Sequence, residues 1–285
     1  MDYIAPFLLG IAILLVFLVR NQRQLQEKRQ KIVVKEHRMF SFLHGLGEAL
    51  QTSRTREELH QFILKGAMEV VEGAQGALYL LDMKQVRLVP KAMSGQCPPL
   101  LPQLLPNYDP THPEKLRSDL LLETVSTDDA DSILVGCLSK RESLHVEDLS
   151  NHPAFGDASP SDRKKICCDA MLAPMYFGES DLGVMVVLRE NGAASFDSND
   201  FAVFGLLADQ CSLALGTDQL SRQSIAQQRL EEEILNARDV QRILLPDKAP
   251  PLSGYRISGR NRAAGSLSGD YYDFIPLGKH ALGVA

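Results

Sequence analysis

The chain has no two cysteines at C-x-x-C spacing. Its five, Cys97, Cys137, Cys167, Cys168 and Cys211, are scattered or adjacent. That removes the usual spacing of a metal-binding or redox cysteine motif, and the adjacent Cys167 and Cys168 are an awkward disulfide pair. Reduced, mostly buried thiols are expected, with the bulk of the chain in a reducing compartment. Basic charge is also short: 30 Lys+Arg against 36 Asp+Glu give a net charge of −6. Without a basic stripe to offset it, that excludes a general nucleic-acid binder. No G-x-x-x-x-G-K-[ST] loop occurs, so nothing points to ATP hydrolysis. What is present is ordinary for a globular protein, with 45% hydrophobic and 23% charged residues. At 285 residues there is room for one or two domains plus linkers.

One long hydrophobic run stands apart. Tyr3 to Val19 carries no charge, and Arg20, Arg23, Lys28, Arg29 and Lys31 follow it. Seventeen helical residues span roughly 25 Å, enough for a thin or locally adjusted bilayer. A cleaved signal peptide would need a positive start and a small-residue cleavage site; Asp2 stands at the start and neither is found. With the basic residues on one side, that side faces the cytoplasm. The expectation is a single-pass anchor over residues 1–20 in the inner (cytoplasmic) membrane, with the bulk of the chain cytoplasmic. The alternative is a buried N-terminal helix, against which stands the lack of any polar face.

Residues 21–45 form a juxtamembrane helix, polar at first and then amphipathic through Met39, Phe40, Phe42, Leu43, Leu46 and Leu50. A second helix over Thr55 to Glu72 opens with the capping box Thr55-x-x-Glu58. Its apolar face is Leu59, Phe62, Ile63, Ala67 and Val70. The period then shortens. Gly76–Leu81 and Val86–Met93 read as strands joined by a turn at Asp82-Met83-Lys84. Six of 15 prolines lie between Pro98 and Pro113, which predicts an irregular excursion rather than an element. A helix at Ser132–Leu138, strands at Asp169–Phe177 and Asp181–Arg189, and a long helix from Ser198 to Leu245 complete the pattern. This order predicts an α+β domain, an antiparallel sheet with helices on one face.

The segment 46–216 also resembles a GAF domain. The residues that carry this are Leu144-x-Val146-x-Asp148 with Asn151-x-Pro153-x-Phe155, Met171-Leu-Ala-Pro174, Leu182-Gly183-Val-Met-Val-Val187, and Phe196-x-x-x-Asp200-Phe201 with Leu206 and Gln210. The resemblance implies a sensor. Its ligand is unknown: the N-K-x-F-x-x-x-D-E signature of cyclic-nucleotide-binding members is met only in part, with no lysine after Asn191 and Phe201 at the final glutamate. His145 and His152 flank the expected pocket loop and read as loop residues or, alternatively, haem ligands.

From residue 217 to 246, Leu230, Ile234, Ala237, Gln241 and Leu244 step by four, three, four and three residues. That is the a/d seam of a two-stranded coiled coil, which predicts a homodimer through this linker; a single amphipathic helix packed on its own domain is the alternative. Gly216 and Thr217 are candidate breaks, and Pro246 ends the helix.

Ala237-Arg-Asp-Val240-Gln241-Arg-Ile-Leu244-Leu245-Pro246 and Ser268-Gly269-Asp270-Tyr271-Tyr272-Asp273 together resemble the entry into SpoIIE/RsbU-like serine phosphatases, of the metal-dependent PPM type. Members read A-x-x-(I/V)-Q-x-x-L-L-P, then G-D-Y-Y-D about twenty residues later. The resemblance implies hydrolysis of a phosphoseryl or phosphothreonyl protein, such as an anti-sigma-factor antagonist, by two Mn²⁺ or Mg²⁺ ions. Hard divalent ions want carboxylate oxygens, and paired ions activate a bridging water. By that resemblance Asp270 is a metal ligand, with Gly269 and Asp273 in support. Members continue after a second strand, here Lys279–Ala285, into D-V-S-G-K/H-G and further aspartates. Residues 247–285 thus hold only the start of such a domain, and this chain as it stands is expected to lack phosphatase activity. The alternative is a non-enzymatic sensor and dimerisation module.

Overall fold

The structure, a computed structural model, describes residues 4–51, 55–94, 96–112, 124–190, 192–246, 248–251, 253–262, 265–278 and 281–285. In the first helix it leaves out the side chains at 4–17, 19, 24, 25, 27, 28 and 31. The chain forms two compact units, Met1–Thr217 and Asp218–Ala285.

The first unit is organised by a six-stranded sheet in the order β3-β2-β1-β6-β5-β4. The strands are β1 (Gln75–Leu81), β2 (Arg87–Met93), β3 (Val125–Ser126), β4 (Leu144–Val146), β5 (Cys168–Phe177) and β6 (Ser180–Glu190), and every neighbouring pair is antiparallel. The sheet is a hairpin, β1–β2, joined to a longer one, β5–β6, by the central β1–β6 pairing that sets Leu78 opposite Met185. Gly183 lies where these hairpins meet. A Cβ there would stand 2.0 Å from the Tyr79 carbonyl oxygen, so only glycine admits the close strand approach.

Alternation along the strands gives the sheet two apolar faces. Leu78, Ala92, Met171, Ala173, Met175, Met185 and Val187 pack on the helical face. There they meet α1 (Ile4–Gln51), α2 (Arg56–Val70) and the first turns of α5 (Ser198–Leu244). The Thr55 capping box forms as expected: Glu58 N donates to Thr55 Oγ1 at 3.2 Å and Thr55 N to Glu58 Oε2 at 2.9 Å. Phe42 of α1 stacks on Phe62 of α2 at 5.7 Å.

The opposite face corrects the expectation of helices on one side only. Ala77, Tyr79, Leu88, Ala170, Leu172, Val184, Val186 and Leu188 are covered by α3 (Ile133–Lys140), by 3-10 turns around α4 (Pro160–Arg163), and by the proline-rich segment. That segment is no excursion. Pro102–Asn107 is a 3-10 helix, and Leu100, Leu101, Leu104, Leu105 and Tyr108 are buried in this second core. Lys165 Nζ fastens it by donating to the Leu105 carbonyl at 2.8 Å.

Gly216 does not break α5. A Cβ there would lie 2.2 Å from Phe177 Cγ, so the glycine lets the helix press against β5. Thr217 continues the helix, its hydroxyl donating to the Leu213 carbonyl at 2.8 Å. At the other end of the chain, α1 runs unbroken through the positions read as anchor, juxtamembrane helix and domain entry. Among the described residues no helix is long and apolar enough to cross a membrane. The anchor expected at 1–20 falls largely on side chains outside the described set.

The second unit contains the remainder of α5 and a two-stranded antiparallel hairpin, β7 (Phe274–Pro276) with β8 (Leu282–Val284). None of its described residues is buried.

Candidate functional site

In the second unit, the two halves of the phosphatase-like signature touch. Gln241 of the upstream half receives the Ser268 N–H on Oε1 at 3.2 Å, and its amide nitrogen donates to the Ser268 carbonyl. One side-chain amide thereby satisfies both backbone groups of the residue that opens S-G-D-Y-Y-D. The Tyr272 hydroxyl donates to the Pro246 carbonyl at 3.4 Å, and Tyr272 packs edge-on against Phe274 at 5.6 Å.

Gly269 and Asp270 follow in an exposed turn, where Asp270 N donates to Ser268 Oγ at 3.1 Å. Asn261 Nδ2 donates to the Asp270 backbone carbonyl at 2.8 Å, and Asp270 itself is exposed. Asp273 serves the backbone: its Oδ1 accepts Phe274 N at 2.7 Å, and its main chain pairs with Ala285. Asp273 is therefore a structural neighbour of Asp270 here. Among the described residues no three His, Cys, Asp or Glu side chains gather as a metal site. The described donor set does not fit two divalent ions, which need several carboxylates.

In the first unit a cleft of about 500 Å³ opens between α3, the start of β4 and the 152–157 loop. Ser132, Gly136, Cys137 and Lys140 supply one helix face, and Glu142, His152 and Asp157 stand across from it. The volume suits a small molecule, and the lining mixes both charge signs with apolar patches. Ser132 is the residue before α3; it is buried, and among the described residues its hydroxyl has no hydrogen-bond partner. His152 Nδ1 accepts Ala154 N at 3.2 Å, and burial holds its imidazole below the usual histidine range, so it is neutral at pH 7.

His145, on β4, points to the other side of the sheet. Its Nε2 meets Asp169 Oδ1 at 2.8 Å, and its ring packs between Phe196 and Phe201. Asp169 is buried, and its second oxygen accepts Phe196 N at 2.7 Å. The two histidines thus lie in separate environments, and they do not form one haem site. Burial pushes the thiols of Cys137, Cys168 and Cys211 up to about 12 and that of Cys97 up as well, consistent with reduced core residues. The sequence singled out His152 but none of Ser132, Cys137, Lys140 or Glu142. Their one visible signal was the short helix beginning at Ser132.

Several solved structures are similar to this chain. The GAF domain of a phosphoenolpyruvate-protein phosphotransferase from Coxiella burnetii is 12% identical, with 65% of this chain and 96% of that one aligned and a TM-score of 0.47. A GAF domain/HD domain protein from Geobacter sulfurreducens is 17% identical over 62% of this chain and 98% of that one, TM-score 0.45. The nlh2 GAF domain of A. Aeolicus, in an inactive state, is 13% identical over 66% and 99%, TM-score 0.46. No curated protein matches the chain. The family model for the GAF domain matches residues 53–216, from the cap of α2 to the glycine that seats α5 on the sheet. With more than half its length so matched, the chain belongs to the GAF-domain family, whose members are sensors in signalling proteins.

Proposed function

We propose that this chain is the sensor and linker of a membrane-anchored signalling protein whose GAF domain controls a SpoIIE/RsbU-like protein serine/threonine phosphatase. Residues 247–285 are the opening of that phosphatase domain, with Mn²⁺ or Mg²⁺ as its ions and a phosphoprotein of the anti-sigma-factor antagonist kind as substrate. Residues 1–20 anchor the chain in the inner membrane. The observation that carries the phosphatase reading is the paired hydrogen bonding of Gln241 to Ser268. Two motifs that the sequence separates by over twenty residues form a single local structure, which chance occurrence of either would not require.

The test is phosphate release from phosphoseryl protein with Mn²⁺, using the protein expressed from its native locus and the 285-residue chain side by side. The 285-residue chain is expected to release none. The native product is expected to be active, and Asp270→Asn to lower its rate by roughly a hundredfold or more. An inactive native product, or one indifferent to Asp270→Asn, overturns this reading.

A second reading, a non-enzymatic sensor and dimerisation module, is favoured by one feature. Leu230 and Leu244 of the linker seam are 57% and 62% exposed, as if awaiting a second copy. Gln241, on the same seam, is already engaged by Ser268.

A further inference from the structure

Asp200 is a buried carboxylate that serves two helices at once. It sits in the first turn of α5, where Asp200 N donates to Asp197 Oδ1 at 2.7 Å and Asp200 Oδ2 accepts Asp197 N at 3.1 Å. This reciprocal pair is a capping box built from two aspartates. The other oxygen, Oδ1, is bound by Lys35 Nζ of α1, 165 residues away. Both side chains are mostly removed from water, at 16% exposure for Lys35 and 8% for Asp200.

We propose that the Lys35–Asp200 pair is a releasable latch that couples α1 to the N-terminal cap of α5. The inference rests on the proposed function, in which α1 leads from the membrane anchor into the GAF domain and α5 leads out of it toward the phosphatase. Its physical basis is an asymmetry. The domain side of the junction is fixed: Arg189 donates to the Val71, Glu72 and Ala194 carbonyls at 2.6, 3.3 and 2.9 Å and lies 4.0 Å over the Phe196 ring. Its guanidinium also stands 3.5 Å from Asp200 Oδ2, so Asp200 stays paired when Lys35 leaves.

The α1 side is held lightly. Among the described residues Lys35 Nζ has Asp200 as its one partner, and Arg38 reaches Glu72 in an exposed pair at 2.5 Å. Among the described side chains, apolar packing of α1 on the domain begins at Met39, partly buried, and Phe42, buried. Ile32, Val33 and Val34 stay 49–61% exposed. Among the described residues the latch is thus the outermost tie of α1 to the domain, and a displacement arriving along α1 meets it before the apolar packing. Withdrawing the lysine strips one cation from the cap of α5, and loosening that cap weakens the hold on the lysine by the same factor.

Amide hydrogen exchange on the full chain tests this, since it reads local opening segment by segment. Lys35→Gln is expected to speed exchange roughly tenfold both at residues 32–38 and in the first turns of α5, 200–204, the loss of one charge-assisted bond. Strands β5 and β6 should be unaffected, and Lys35→Arg should restore protection. Asp200→Asn, which keeps an acceptor for the cap, should free α1 in the same way. Faster exchange in α1 alone overturns the coupling, as does no change or a uniform rise that includes β5 and β6. None of these results bears on phosphate release, so the latch and the phosphatase reading fall separately.

Discussion

The two units of this chain are built on opposite terms. Residues 1–217 close two apolar cores, one on each face of a single sheet, and leave the strands between them almost fully covered. Residues 218–285 contain no buried residue among those described, although Leu230, Leu244, Tyr255 and Tyr271 are all large and apolar in part. The first unit carries its own driving force for folding, the removal of apolar area from water. Among the described residues the second has backbone order without a core: its helix is a continuation of one that begins in the first unit, its hairpin is two short paired strands, and Gln241 holds the turn at Ser268. A two-stranded hairpin has marginal stability alone in water. The difference teaches that the GAF unit carries cores of its own, while the described part of the C-terminal signature is ordered by local contacts alone.

The largest expected effect that sharpens this comparison is alkaline. All five cysteines lie in the first unit, and Cys137, Cys168 and Cys211 are pushed by burial up to about 12. An unfolded thiol ionises near 8.5, so between that pH and about 12 the unfolded chain binds fewer protons than the folded one. Stability contributed by the neutral thiols is fully present below pH ~8.5 and is lost as pH rises through that window. At pH ~10 the loss is on the order of 6 kcal/mol for the three together. Urea unfolding of the first unit at pH 7.5, 9 and 10 should show it, and a flat midpoint would contradict the buried placement of these thiols.

Next in size is Gly183→Ala. Its Cβ would stand 2.0 Å from the Tyr79 oxygen and 2.7 Å from the Leu80 Cα, both backbone, so β1 and β6 must part. Overpacking of this kind costs about 3 kcal/mol, and it falls on the pairing that joins the two hairpins. Thermal unfolding followed at the sheet should show the loss, while the melting of residues 218–244, which bury nothing among the described residues, should shift little. Equal loss in both regions would make them one cooperative unit.

What the sequence made legible was what depends on near neighbours. The Thr55–Glu58 box, the β5–β6 hairpin and the start of α5 at Ser198 are local patterns of period and cap, and each formed within a residue or two of its expected bounds. What stayed hidden depends on close approach across the fold. Prolines at 98–113 masked the leucines of a 3-10 helix that completes a core. Gly216 read as a helix break because the demand for it comes from Phe177, about forty residues earlier. Ser132 and Lys140 line the cleft only once α3 packs against β5 and β6, and Lys35 meets Asp200 across 165 residues. At the C-terminus the sequence pointed to Gln241 and Ser268 as parts of two motifs, but nothing in their spacing required the direct contact.

The smallest effect on folding should come from the seam itself, and that makes it the most discriminating change. Leu230→Ser with Leu244→Ser removes two exposed side chains from the second unit, where no core exists to be damaged. Surface substitutions away from packed features stay within about 0.5 kcal/mol, so the unfolding of the first unit should not move. If a second copy covers this seam, the two changes remove d-position leucines from a coiled coil and should shift the full chain toward monomer in sedimentation at micromolar concentration. The contact between Gln241 and Ser268 bears on the outcome, because the amide that holds the phosphatase-like turn is placed on the same heptad track. A coiled coil that needed Gln241 at its interface would compete with that turn, whereas one confined to Leu230, Ala237 and Leu244 would leave it in place. Dimers that survive the double substitution would mean that the leucines of this helix are exposed for another purpose, and that the second unit is completed by contacts other than a copy of itself.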